Sequence, residues 1–332
     1  MKSFLRDCGA TIDTAIPKTK TIELKTPVIV VVGPTASGKS ALAQELALTI
    51  DGEIISADSM QIYQGMDIGT GKLKKSEMQV AHHGLNLCRP DESYSASLFQ
   101  TYARECFAEI DSREKRNILC GGTGLYIRAA IDDYHFLPGE QIENPVREKY
   151  TEVAETLGAQ TLWDMLHERD PESAALLHPN NVRRVVRAFE MLAENTTYAQ
   201  QHANLRTIKQ LVPAVFIGLE VEPEILRTRI SRRVDAMLGE GLLDEVKTLL
   251  DHGFRQSITS PQAIGYKELV PVIEEKTSLE KACDDIKTAT CRYAKRQRTW
   301  FRSDSRIKWI NADSGDVDAL LCQAIPIIGK AV

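Results

Sequence analysis

The chain has 332 residues, a formal net charge of −5, and 43% hydrophobic against 26% charged side chains. That balance is globular, long enough for one large or two ordinary domains, and it is not that of a uniformly basic nucleic-acid binder. No apolar run approaches the eighteen or so residues of a membrane span, which excludes a spanning helix.

Residues 1–26 are mixed and polar, without the apolar stretch of a signal peptide, and read as a poorly ordered extension. The seven cysteines are scattered, with no C-x-x-C spacing, which points to reduced thiols and a cytoplasmic protein. The apolar run Val28-Ile29-Val30-Val31-Val32 reads as a buried strand. It is followed by Gly33-Pro34-Thr35-Ala36-Ser37-Gly38-Lys39-Ser40 and then a helical pattern from Ala41. This is G-x-x-x-x-G-K-[ST] between a strand and a helix, the setting in which backbone N–H groups wrap a chain of phosphates. Lys39 is placed to meet the terminal phosphates, and Ser40 to offer its hydroxyl to Mg²⁺.

A second strand at 53–57 ends in Asp58-Ser59-Met60-Gln61, and a third at 117–120 ends in Gly121-Gly122-Thr123-Gly124. In an open α/β sheet, such carboxyl ends are where ligands meet chemistry. Asp58 there can hold Mg²⁺-bound water, act as a general base, or cap the next helix. Thr123 brings a hydroxyl to the same rim, in a role compatible with capping. His82-His83 point apart as neighbours and suit a structural role better than metal binding. Helical patterns at 146–157, 160–168 and 181–194 mark residues 140–212 as an all-helical insertion. Strands at 214–219 and 307–310, with helices near 223–238, 240–252 and 278–302, complete the core of 27–139 and 213–332. The expected fold is therefore α/β, a P-loop NTPase-like parallel sheet flanked by helices, with a helical insertion domain. Basic residues cluster at Arg183-Arg184-Arg187, at Arg227 to Arg233, and most densely from Arg292 to Lys308. Three clusters in a net-acidic chain point to an anionic macromolecular partner.

Taken in order, GPTASGKS at 33–40, DSMQIYQGMDIGTGK at 58–72, HH at 82–83, GGTGLY at 121–126, LHPNNVRRVVRAFE at 177–190, AIGYKEL at 263–269 and AKRQRTWFR at 294–302 resemble the bacterial-type tRNA dimethylallyltransferase family. The resemblance covers about residues 28–310. It implies that dimethylallyl diphosphate, not ATP, occupies the loop, with Gly33 to Ser40 binding it and Mg²⁺ on Ser40. It implies transfer to the adenosine just 3′ of a tRNA anticodon by a monomer, with Asp58, Thr123 and Arg233 catalytic. tRNA contacts are expected from Asp58, Ser59, Met60, Gln61, Arg183, Arg184, Val185, Val186, Arg187, Arg292, Arg296 and Gln297. For Trp300 the helical spacing favours burial over base stacking. Adenylate isopentenyl transfer and small-molecule phosphorylation are the alternatives. The chain departs from the family pattern at Asn86, where Asp is usual, and at 195–199. Its end also lacks the Cys/His zinc pattern of eukaryotic members.

Overall fold

The computed structural model describes residues 22–136, 144–204, 209–257 and 259–329. Its first half holds β1 (Val28–Val32), α1 (Lys39–Ile50), β2 (Gly52–Ser56), β3 (His82–His83), α2 (Ala96–Ser112), β4 (Arg116–Gly121) and α3 (Gly124–Ile131). Five helices follow: α4 (Pro145–Leu157), α5 (Ala159–Arg169), α6 (Pro171–Ala175), α7 (Val182–Ala193) and α8 (Tyr198–Asn204). The chain then forms β5 (Ala214–Glu220), α9 (Pro223–Gly239), α10 (Leu242–Asp251), α11 (Tyr266–Ile273), α12 (Leu279–Arg302), β6 (Ile307–Asn311) and α13 (Val317–Gly329).

The strands pair in the order β3-β2-β4-β1-β5-β6, every pair parallel. β1 is β-branched throughout and buried at every position, as a central strand covered on both faces requires. Its neighbours are β4 on one side and β5 on the other, so the connections leaving the rim diverge around it. That is the switch point at which open α/β sheets bind ligands.

β3 is a strand the sequence pattern does not announce. It is the two-histidine edge of the sheet, where His83 Nε2 meets Glu53 Oε2 at 2.7 Å. Arg113 bonds the same carboxylate, so the histidine pair belongs to the architecture of the sheet edge.

Among the described residues, the buried apolar side chains form two clusters. One surrounds the sheet; the other is internal to α4–α8 and centres on Tyr150, Leu162, Leu166, Val185 and Phe189. Within the second, the Tyr150 and Phe189 rings stack with centroids 3.7 Å apart. Glu190, 3% exposed, accepts from Arg147 Nε at 2.6 Å and Arg187 Nη1 at 2.7 Å, tying α4 to α7. Of the extension expected at 1–26, residues 1–21 lie outside the described residues, as do 140–143 and 205–208 of the expected insertion.

Candidate active site at the carboxyl rim of the sheet

The glycine loop runs from the end of β1 into α1. Gly38, the residue before α1, has φ 96°, a left-handed conformation that glycine adopts without strain. A Cβ on Gly33 would lie 2.9 Å from Ser37 Oγ and 3.2 Å from Leu219, so the loop closes tightly over β5. The helix leaves its first-turn N–H groups unpaired and pointing out of the sheet, the arrangement that attracts anions. Lys39 Nζ folds back to Pro34 O at 3.1 Å. Burial lowers its pKa, while the Cys120 thiol and the Asp58 carboxylate pull it back up.

Among the cavities that open at this rim, two meet at Asp58. The inner one is lined by Lys39, Ser40, Gln61, His82 and Cys120. The outer one, of about 420 Å³, is lined by Ser59, Met60, Arg292 and Arg296. Thr35, Asp58, Thr70, Arg233 and Tyr293 line both, so they form the passage between them. Asp58 Oδ1 accepts from Met60 N at 2.9 Å, which turns the chain so that the carboxylate stays at the passage. Arg233 reaches it from α9. Burial lowers the Arg233 pKa, and the fields of Asp58 and Glu240 oppose that shift. Its Nη2 donates to Thr70 O at 3.4 Å. A Cβ on Gly71 would lie 1.7 Å from that nitrogen, so only glycine leaves it room.

Several residues singled out in the sequence take other parts. Thr123 sits at the N-cap position of α3 without capping it. Its hydroxyl accepts from Ser59 N at 3.0 Å and bonds Ser59 Oγ at 3.3 Å, so it positions the Asp58-Ser59 turn and lines neither chamber. Gln61 faces the inner chamber, not the outer one: it accepts from Ser56 Oγ at 2.8 Å and donates to Thr70 O at 3.3 Å. Gln297 is buried. Its Oε1 accepts from Thr35 N and its Nε2 donates to Gly122 O, both at 2.9 Å, which locks the glycine loop to the β4–α3 turn. Val185 and Val186 are likewise buried in the insertion core, because they occupy the apolar stripe of α7. Arg183 and Arg184 are exposed on the other face of α7, whereas Arg187 is bonded to Glu190.

The late basic cluster also divides. Arg292 and Arg296 are exposed at the outer chamber. Arg302 is paired with Glu220, and Arg306 is bound to both Asp132 and Asp304. Asn86 takes over as an acceptor, receiving Lys72 Nζ at 2.7 Å. Trp300, expected inside, is 42% exposed.

Two residues of the site were missed. Tyr293 stands at the passage, its phenol near Asp58, Thr123 and Gln297, and burial pushes its pKa up to about 12. It lies one helical turn before Gln297 on α12, which is the signal that could have found it. Glu245 of α10 accepts from three consecutive backbone N–H groups, Asp67 at 3.1, Ile68 at 2.7 and Gly69 at 3.1 Å. Tyr266 OH donates to the same carboxylate at 2.6 Å. This clamp fixes the loop whose next carbonyl, Thr70 O, holds both Arg233 and Gln61.

A parallel sheet with a glycine loop at its switch point and two cations lining a cavity with a carboxylate defines an α/β protein of the P-loop-like kind. The comparisons with known proteins narrow it. The IPP transferase family model matches residues 61–304, and a shorter isopentenyl transferase model matches 26–87. The tRNA dimethylallyltransferase of Bacillus licheniformis is 46% identical over 86% of this chain and 91% of its own; that of Bacillus subtilis is 44% identical over the same shares. A crystal structure of tRNA delta(2)-isopentenylpyrophosphate transferase from Staphylococcus epidermidis is 41% identical, with a TM-score of 0.69 over 93% of this chain and all of that one. A eukaryotic dimethylallyltransferase crystallised acting on tRNA is 30% identical, with a TM-score of 0.75 over 90% of this chain and 77% of that one. The chain belongs to the IPP transferase family, that of the tRNA dimethylallyltransferases, and is an enzyme that transfers prenyl groups. Among the described residues, no helix is long and apolar enough to cross a membrane.

Proposed function

We propose that the protein transfers the dimethylallyl group of dimethylallyl diphosphate to the exocyclic N6 amine of the adenosine immediately 3′ of a tRNA anticodon, releasing diphosphate. The observation that carries this reading is Asp58 at the passage between two chambers, one cationic and closed by the glycine loop, the other open toward exposed arginines. The diphosphate lies in the inner chamber against the start of α1, beside Lys39 and Arg233. As the bond from its oxygen to the allylic carbon breaks, it gathers negative charge, and the two cations stabilise it most at that moment. The adenine enters the outer chamber past Ser59 and Met60. Its amine nitrogen forms the new bond to the allylic carbon, the carbon–oxygen bond leaves with its electron pair on diphosphate, and the amine proton passes to Asp58.

The oxygen donors at the inner chamber, the Ser40 hydroxyl and the Asp58 carboxylate, match the hard-oxygen preference of Mg²⁺. Ser40 would ligate it, and the ion would supply further neutralisation of the diphosphate. The cysteines among the described residues are free thiols, in keeping with the reducing cytoplasm.

A target adenine stacked in an anticodon loop must be extruded to reach Asp58, and exposed arginines on α7 and α12 are suited to grip the flanking phosphates. The test is incorporation of labelled dimethylallyl into anticodon stem-loop RNA with and without its target adenine. Transfer to the adenine-containing RNA alone is expected. Transfer only to AMP would establish the adenylate reading, and ATP-dependent phosphorylation without prenyl incorporation would establish a kinase.

A further inference from the structure

A separate cleft of about 1010 Å³ opens between the C-terminal end of α12, the start of α3 and the insertion helices, and it shares no lining residue with either catalytic chamber. Trp300 forms part of its wall and is 42% exposed, with Leu125 beside it 36% exposed. This indole is held in place: a Cβ on Gly124 would lie 2.1 Å from its Cδ1 and Nε1, so the ring rests directly on the backbone of the first residue of α3. A large aromatic fixed in this way and left open loses little freedom when a flat partner covers it. Arg184, exposed on α7, lines the same cleft.

The position along α12 identifies the partner. Tyr293 marks the passage into the catalytic chambers, Arg296 lies with its guanidinium 5.6 Å from the Tyr293 ring, and Trp300 follows on the next turn. From Tyr293 to Trp300 the helix rises about 10 Å. An RNA loop that delivers one base to the passage therefore carries its neighbouring nucleotide toward Trp300. Extrusion strips that neighbour of a stacking partner, and an exposed indole replaces it.

We propose that Trp300, supported by Gly124 and flanked by Leu125, is a stacking platform for the unpaired nucleobase adjacent to the extruded adenine, with Arg184 set to meet the backbone phosphate of that segment. The platform rests on the functional reading given above. Its sequence tolerance follows from stacking, since every base has a π-face.

The experiment pairs wild-type protein, Trp300→Ala and Trp300→Phe with an anticodon stem-loop and with stem-loops made abasic at each nucleotide flanking the target adenosine. Affinity and prenyl transfer are both measured. Trp300→Ala is expected to weaken binding of the intact stem-loop by about tenfold, and Trp300→Phe by far less. Removing the base at one flanking position should weaken the wild-type complex by a similar factor and add nothing further in Trp300→Ala. Turnover at saturating RNA should change little, which separates a platform from a disturbed catalytic passage. If Trp300→Ala binds the intact RNA as tightly as wild type, or if both abasic penalties persist in it undiminished, the platform is wrong while the functional reading stands. If the wild-type protein neither binds nor prenylates the stem-loop, the functional reading falls and the platform with it.

Discussion

At the carboxyl rim of the sheet, Arg233 is half-buried, bonded to Thr70 and facing Asp58 across the passage; in the insertion, Arg183 and Arg184 stand in solvent on α7. The rim arginine sits in a frame that reaches far along the chain. Glu245 on α10 clamps residues 67–69, Gly71 yields room, and Gln297 on α12 ties the glycine loop to the β4–α3 turn. The insertion arginines lean on one helix whose other face is buried in its own small core. A charge meant for chemistry must be desolvated and held to fractions of an ångström. A charge meant for phosphates works through a long-range field, and it does so best when free to move with the ligand.

The contrast breaks first at Asp58. Asp58→Ala is expected to cut turnover by about 10²-fold or more, with stem-loop affinity nearly unchanged. Full activity in that variant would remove the assigned base. The frame is tested next at Glu245. Glu245→Ala frees three backbone N–H groups and the loop that holds Arg233, and kcat should fall by about 10- to 100-fold while KM for RNA moves little. Glu245→Gln, which keeps an acceptor, should recover part of the loss. An unaltered kcat in Glu245→Ala, with a normal melting curve, would reduce the clamp to ornament.

What the sequence made legible at the rim was local. A β-branched strand, a glycine loop and a helix start encode their own geometry within a dozen residues, and Asp58 follows from its place at a strand end. The partners of those residues were not legible, because nothing near Asp67 announces that its amide will meet Glu245, nor that Gln297 will reach Thr35. The basic clusters misled for the same reason. Their charge can be counted in the sequence, but Arg187, Arg302 and Arg306 turn out to be joined to Glu190, Glu220 and Asp132, carboxylates that the fold supplies. Val185 and Val186 were swept along with the arginines around them, although the helical period alone puts them on the opposite face.

Glu190 sharpens the other side of the comparison. Although burial opposes its ionisation, hydrogen bonds from Arg147 and Arg187 outweigh it and hold the carboxyl below its usual range. A carboxylate depressed by folding contributes stability that is present above the unfolded pKa and is lost as pH falls through the folded one. Glu190→Gln should therefore cost about 2 kcal/mol at neutral pH. That difference from wild type should shrink in acid below the ordinary glutamate range. Thermal unfolding followed across pH checks this, and a difference that stays constant down to acid pH would mean that the ion triad is not what joins α4 to α7.

The smallest effect discriminates best between the two uses of arginine. Arg183→Ala removes an exposed cation from the solvent face of α7, so melting should be unmoved and RNA affinity should fall only severalfold at moderate salt. The diagnostic quantity is the slope of log affinity against log salt, which becomes shallower by roughly 0.7 to 0.9 for each phosphate the protein no longer neutralises. Arg187→Ala should do the reverse: its guanidinium holds Glu190 at 2.7 Å, so the insertion should melt earlier while the salt slope stays at the wild-type value. If both variants flatten the slope equally, Arg187 serves the RNA as well as the fold. If neither does, the phosphates are gripped elsewhere, with Arg292 and Arg296 at the mouth of the outer chamber the next to change.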